Sequence, residues 1–325
     1  MFPAPTLAEI EAASAALSGR IVATPTLTLN SNRLTPHLPG DGAQVHMKME
    51  LFQQAGSFKA RGVLLAVDAL NDDQLSAGVT TVSAGNHALA VSWGARDAGI
   101  SAKVVMPDSA DKIRVDGCRA LGAEVVLVRN VEEAFAEVDR LVEAEGRTLL
   151  HPFESPHMTL GAATCGLEFA RSRPNMEVAV IPVGGGGFIS GMSTAIKLAI
   201  PDCRIIGIEP FGADSMWRSF ERGEAVELER VDTIADSLGS PMTRSNGFAI
   251  TRANVAEIVR IEDDEMRRAM TLLYDGLKIV AEPACAATTA AVTGRLRDQL
   301  TGANVGIVAC GSNISLAKFQ RLTEN

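Results

Sequence analysis

Residues 178–199 read VAVIPVGGGGFISGMSTAIKLA. The run Val178–Val183 predicts a strand and Phe188–Ala199 a helix, with four successive glycines as the turn between them. A membrane span is excluded although 178–196 carries no charge, because Pro182 and the glycines would break a spanning helix. Outward from this unit the same alternation continues. Val79–Ser83 predicts a strand, Asn86–Ala98 a helix, Ala102–Met106 a strand and Ala110–Leu121 a helix. Glu124–Val128 reads as extended, Val131–Glu145 as helical and Arg147–Leu150 as extended. Downstream follow strand Arg204–Glu209, helices Asp263–Tyr274 and Pro283–Leu296, and strand Val305–Ala309. Such alternation predicts an α/β fold of parallel sheets covered by helices, with ligands at the carboxyl ends of the strands.

The chain has 325 residues, 46% hydrophobic, 21% charged and 4% aromatic, which allows a large core in two lobes. No long linker divides it, so the smaller lobe is expected as an insertion at 76–150, within a larger lobe of 1–75 and 151–325. A net charge of −9, mixed along the chain, argues against nucleic acid and against a basic membrane-binding face. Five scattered cysteines without zinc spacing read as reduced thiols, and Glu9 and Glu11 fall where a signal peptide needs apolar residues. The expectation is a cytoplasmic protein without membrane or nucleic-acid partners.

Four constellations carry chemistry. In Gln54-Ala55-Gly56-Ser57-Phe58-Lys59-Ala60-Arg61-Gly62, Ser57 is a good N-cap and apolar residues follow at helical spacing. Lys59 then falls in a first helical turn, where the macrodipole disfavours an ammonium; burial would lower its pKa further, as a nucleophile and base requires. The glycines Gly184, Gly185, Gly186 and Gly187 let backbone amides approach a phosphate, or form merely a tight turn. They do not fit the dinucleotide fingerprint, which begun at Gly185 gives Gly187 but then Ser190. Glu209 still stands where a ribose-binding acid could, which leaves a non-catalytic nucleotide-binding module open. Ser83-Ala84-Gly85-Asn86-His87 offers donors suited to a carboxylate, or simply starts a helix. Ala309-Cys310-Gly311-Ser312-Asn313 puts a thiol and a hydroxyl at a sheet edge, as a ligand contact or a simple turn.

In order and spacing these motifs resemble the fold-type II pyridoxal-phosphate enzymes (tryptophan synthase β-like), specifically the serine/threonine dehydratase and serine racemase family. The similarity extends through Thr24-Pro25, His46-Met47-Lys48-Met49-Glu50, His151-Pro152-Phe153, Gly207-Ile208-Glu209-Pro210 and Glu282-Pro283. The resemblance implies that Lys59 holds pyridoxal 5'-phosphate as a Schiff base and acts as the base, with Phe58 beside the ring and Asn86 on the phenolic oxygen. It places the phosphate on Gly184–Gly187, Cys310 opposite the pyridine nitrogen, and the substrate carboxylate on Ser83, Ala84, Gly85, Asn86 and His87. The implied activity is β-elimination from a hydroxy-amino acid, first of all L-serine or L-threonine, giving a 2-oxo acid and ammonia. Within the fold, a serine racemase or a 3-hydroxyaspartate dehydratase is the nearest alternative.

Departures from the family pattern sharpen these expectations. Racemases carry a second serine in the Asn loop where this chain has Ala84, which favours elimination. Cys310 replaces the common serine but is also neutral, with Ser312 as a fallback partner. A neutral group there leaves the pyridine nitrogen largely unprotonated. Leu89 replaces the glutamine often found after His-Ala, which puts any nucleotide-effector site using it in doubt. The resemblance also implies Mg²⁺ or another cation on Glu209 and the Ala213 carbonyl. Ser215 stands there in place of the family's Asp, with Asp214 adjacent. A homodimer is a further implication.

Overall fold

The computed structural model describes residues 2–324. Its strands are β1 (Thr26–Thr28), β2 (Gln44–Lys48), β3 (Val79–Val82), β4 (Ala102–Pro107), β5 (Glu124–Val128), β6 (Thr148–Leu149), β7 (Val178–Pro182), β8 (Arg204–Pro210), β9 (Glu257–Ile261) and β10 (Asn304–Val308). They form a six-stranded sheet ordered β1-β2-β10-β7-β8-β9 and a four-stranded sheet ordered β5-β4-β3-β6. The smaller sheet is parallel throughout, and in the larger one only the β1–β2 pair is antiparallel.

The whole of the four-stranded sheet lies between β2 and β7 in the chain, so the small lobe is an insertion in the large one. Each lobe has a core. In the large lobe β7 is buried at every position, as expected of a central parallel strand covered on both faces. In the small lobe Val79, Val104, Met106, Val91 and Cys118 close the space between the sheet and its helices. No described helix is long and apolar enough to cross a membrane.

The helix that carries Lys59 runs Lys59–Asp68 and packs on the long helix Pro156–Ser172, which in turn packs on Gly187–Ala199. Beneath it lies a buried ion network. Arg61 donates to both oxygens of Glu50 at 2.8 and 2.9 Å and to both oxygens of Glu168 at 2.7 and 2.8 Å, and Lys48 donates to Glu168 at 2.8 Å.

Ser57 does not cap this helix, contrary to the sequence expectation. It is extended (φ −164°), pairs with Gly311 in an antiparallel bridge, and its Oγ has no partner. Phe58 N–H donates to the Cys310 carbonyl at 3.2 Å. Pairing with the chain after β10 therefore replaces a cap and ties the start of the Lys59 helix to the end of a central strand. The other departures are at element ends. The helix expected from Ala110 begins at Lys112, because the Asp111 side chain accepts from Ile113 N–H and acts as its cap. The helix expected to reach Leu296 ends at Thr293, before Gly294.

Candidate active site

A cavity of about 700 Å³ opens between the two sheets, where the segments after β3, β7 and β10 converge. Lys59, Ser83, Asn86, Gly184, Cys310 and Arg114 are among the residues that line it. Five of these six come from the motifs described above, which the fold has brought to one place.

Lys59 is the first residue of its helix, and its Nζ donates to the Pro152 carbonyl. Burial pushes the amine down to about 8, opposed by the nearby Cys310. The amine is held on one wall beside Phe58, whose ring centroid lies 5.0 Å away. Phe58 itself stacks on Phe188, with centroids 3.9 Å apart and planes at 28°. Phe188 had no role in the sequence reading.

The glycine loop, which lines the same cavity, leads into Gly187–Ala199. Gly186 adopts φ 94°, a region closed to most side chains, and no side chain caps the helix. Phe153, which also lines the cavity, packs against the loop. A Cβ on Gly185 would meet the Phe153 ring at 2.5 Å, and one on Gly187 would meet the Phe153 carbonyl oxygen at 2.6 Å. Only glycine lets the backbone lie this close, and the uncapped first-turn amides make a cradle for an anion such as phosphate.

The Ser83–His87 loop starts the helix Asn86–Asp97. Ser83 Oγ accepts from Gly85 N–H at 3.2 Å, and no side chain caps this helix either. Asn86 is held from two sides: its Nδ2 donates to Glu282 at 2.6 Å and its Oδ1 accepts from Asn313 at 2.7 Å. His87 donates from Nε2 to the Leu150 carbonyl at 2.9 Å, and burial pushes its pKa down to about 3, so the ring is neutral. Burial drives the Cys310 thiol well above its ordinary range, which keeps it uncharged. Ser312, the fallback, is engaged elsewhere: its hydroxyl donates to the Val280 carbonyl. Glu282 and Asn313 were quoted for the resemblance without a role; here they orient Asn86.

Pyridoxal phosphate fits these residues on two observations: the amide cradle that only glycine permits, and a buried amine of lowered pKa in the same cavity. The cation donors are a different matter. Both oxygens of Glu209 accept backbone N–H groups, from Met216 at 3.1 Å and Trp217 at 2.8 Å. Ser215 Oγ bonds to Thr243 at 3.0 Å, and Asp214 pairs with Arg218 and Arg260 at 2.8 and 3.0 Å. Among the described residues no group of three His, Cys, Asp or Glu side chains is arranged for a metal.

Two residues that line the cavity were not singled out from sequence as site residues. Arg114 reaches in from the helix Lys112–Ala120, and Asp236 accepts from it and from Lys318 at 2.9 Å each. Asp236 lies in the segment Ala235-Asp236-Ser237-Leu238-Gly239 and Arg114 in the helix after β4, both outside the motifs that the sequence offered.

A family model described as "Pyridoxal-phosphate dependent enzyme" matches residues 18–311. Phenylserine dehydratase of Ralstonia pickettii is 48% identical over 283 residues, which cover 87% of each chain. L-threonine ammonia-lyase of Thermotoga maritima is 38% identical, over 86% of this chain and 70% of its own. Among solved structures, maize serine racemase superposes with a TM-score of 0.91 at 30% identity, over 98% of this chain and 97% of the other.

Proposed function

This chain belongs to the pyridoxal-phosphate dependent enzymes, and on that premise we propose that it dehydrates and deaminates 2-amino-3-hydroxy acids with an uncharged β-substituent. The reading rests on one observation above the others. A buried amine, pushed down to about 8, shares its cavity with an anion cradle and with a second helix start, after Ser83, that no side chain caps.

When bound, pyridoxal phosphate supplies an electron sink for the pair left behind as the α-proton departs. The chain's own residues do the rest. The amides of Gly184–Gly187 hold the phosphate, and Ser83 with the amides of its loop holds the substrate carboxylate. Neutral Lys59 takes the α-proton from one face. Cys310, neutral, would leave the ring nitrogen unprotonated and so moderate the sink, and the α-proton and the β-hydroxyl together leave as water. On the other face Ala84 offers no proton, so return of the α-proton there is disfavoured and racemisation with it. The enamine product hydrolyses in water to a 2-oxo acid and ammonia.

L-Serine and L-threonine are substrates of the expected kind, and the cavity has room for a larger group such as the phenyl ring of phenylserine. A distal carboxylate finds less support. Of the cations that line the cavity besides Lys59, Arg114 and Lys318 are both already paired with Asp236, and Arg321, at its exposed rim, is the one without an ion pair among the described residues. The panel of L-serine, L-threonine, phenylserine and 3-hydroxyaspartate should therefore yield 2-oxo acid and ammonia, with 3-hydroxyaspartate lower in kcat/KM than threonine or phenylserine by about tenfold. A preference for 3-hydroxyaspartate would contradict the assignment. The reaction as proposed uses no cation, because the Glu209, Asp214 and Ser215 side chains are already bonded within the chain. Neither EDTA nor added Mg²⁺ should change these rates.

Attachment of the cofactor needs Lys59 as a free base. Its rate on apoenzyme, read by borohydride trapping, should rise with pH through a midpoint of about 8 and then level off. A midpoint near the ordinary value of 10.5 would show that burial does not perturb the amine.

A further inference from the structure

Arg114 belongs to the small lobe, yet most of its bonds reach the large one. Its guanidinium is buried. Nη1 donates to the Ala84 carbonyl at 3.2 Å and to Asp236 at 2.9 Å, Nη2 donates to the other Asp236 oxygen at 3.1 Å, and Nε donates to the Asn313 carbonyl at 2.9 Å. Nη2 also lies 3.5 Å from Glu282, whose other oxygen holds Asn86. Of these partners only Ala84 is in the small lobe, and it is the middle of the loop whose amides face the cavity. The planar fork of an arginine satisfies a carboxylate and two carbonyls at once, which a lysine cannot do.

We propose that Arg114 is a positioning residue that fixes the Ala84 peptide and clasps the small lobe to Asp236 and Asn313 of the large one, so that the carboxylate loop is held in place from the opposite lobe. The proposal rests on the reading of Ser83–His87 as the carboxylate loop. Arg114 touches neither Lys59 nor the glycine loop among the hydrogen bonds of the described residues, and the Asn86 side chain has its own bonds to Glu282 and Asn313, so loss of Arg114 should leave the covalent anchor and the phosphate cradle of the cofactor in place.

The test is made on holoenzyme with threonine as substrate. Arg114→Gln should raise KM by at least about tenfold while kcat falls less than about threefold, with the visible absorbance of bound cofactor unchanged. Arg114→Lys, which keeps the charge on Asp236 and gives up the fork, should lie between. Asp236→Asn should also raise KM, and the Arg114→Gln/Asp236→Asn double variant should be no worse than the worse single one, because both remove the same clasp. Additive losses, an unchanged KM, or a fall in kcat alone would overturn the proposal, as would loss of cofactor from Arg114→Gln that Arg114→Lys does not restore. Should Arg114→Gln not fold, Arg114→Lys and Asp236→Asn carry the same comparison. The dissociation constant of L-alanine, which has no leaving group, read from the cofactor spectrum, should follow the order of KM. That readout separates failure of the clasp from failure of the dehydratase assignment, since it needs no elimination.

Discussion

Lys59→Ala should abolish formation of 2-oxo acid and ammonia, lowering turnover by about four orders of magnitude, without unfolding the protein. The size follows from losing two roles at once: a positioned base is worth about 10²–10⁴-fold, and the covalent anchor of the cofactor goes with it. The fold should survive for a physical reason. Lys59 begins its helix, its side chain makes one hydrogen bond among the described residues, to the Pro152 carbonyl, and burial already opposes its charge. Removing a buried amine of lowered pKa relieves a desolvation cost, so with both proteins compared free of cofactor the melting temperature should hold or rise. A keto-acid assay beside a thermal melt checks both halves. Retained turnover would mean that the base lies elsewhere, and collapse of the fold would mean that Lys59 is structural.

Arg61→Met, two residues further on, should have the opposite profile. Arg61 is 0% exposed and holds both Glu50 oxygens, and Glu50 is itself 0% exposed. Without the guanidinium, Glu50 keeps only the Thr24 hydroxyl and the Lys48 ammonium 4.0 Å away. Leaving a buried carboxylate so poorly paired costs about 3–5 kcal/mol, which for a chain of this size lowers Tm by about 4–7 °C. Arg20 provides the control. It makes two ion pairs, with Asp68 and Asp97, but about a third of its side chain is exposed at 34%, and Arg20→Met should cost less than about 1 kcal/mol. Equal losses for the two variants would show that burial is not what makes the Arg61 network matter. Because Arg61 seats the Lys59 helix on Pro156–Ser172, the Arg61→Met protein should also bind its cofactor less firmly.

The elements most legible in the sequence are those whose pattern is local. β5 and the helix Val131–Glu145 fall at their expected residues, because a half-buried strand and an amphipathic helix with Asn130 as its cap each announce their own ends. Pro156–Ser172 is longer than any other helix of the chain that is described, yet nothing marked it. Eleven of its residues are buried, and small residues such as Gly161, Ala162, Ala163 and Gly166 cover it nearly all round, so it has little polar face to set a period. The site divides in the same way. Lys59, the glycine loop and Asn86 sit at strand-to-helix or loop-to-helix junctions whose residue types state their chemistry. Arg114 and Asp236 are 122 residues apart in the chain, and their pairing exists only once the lobes meet. Ser57 shows a local rule overruled: its type suits a cap, but pairing with Gly311 draws it into an extended backbone.

Borohydride reduction of the holoenzyme, followed by peptide mapping, is the most direct measurement of the central claim. The account predicts that the reduced cofactor is fixed on the peptide containing Lys59 and on no other, and that the visible absorbance is lost in step with activity. A label on a different lysine, or a protein that takes up no pyridoxal phosphate at all, would contradict it.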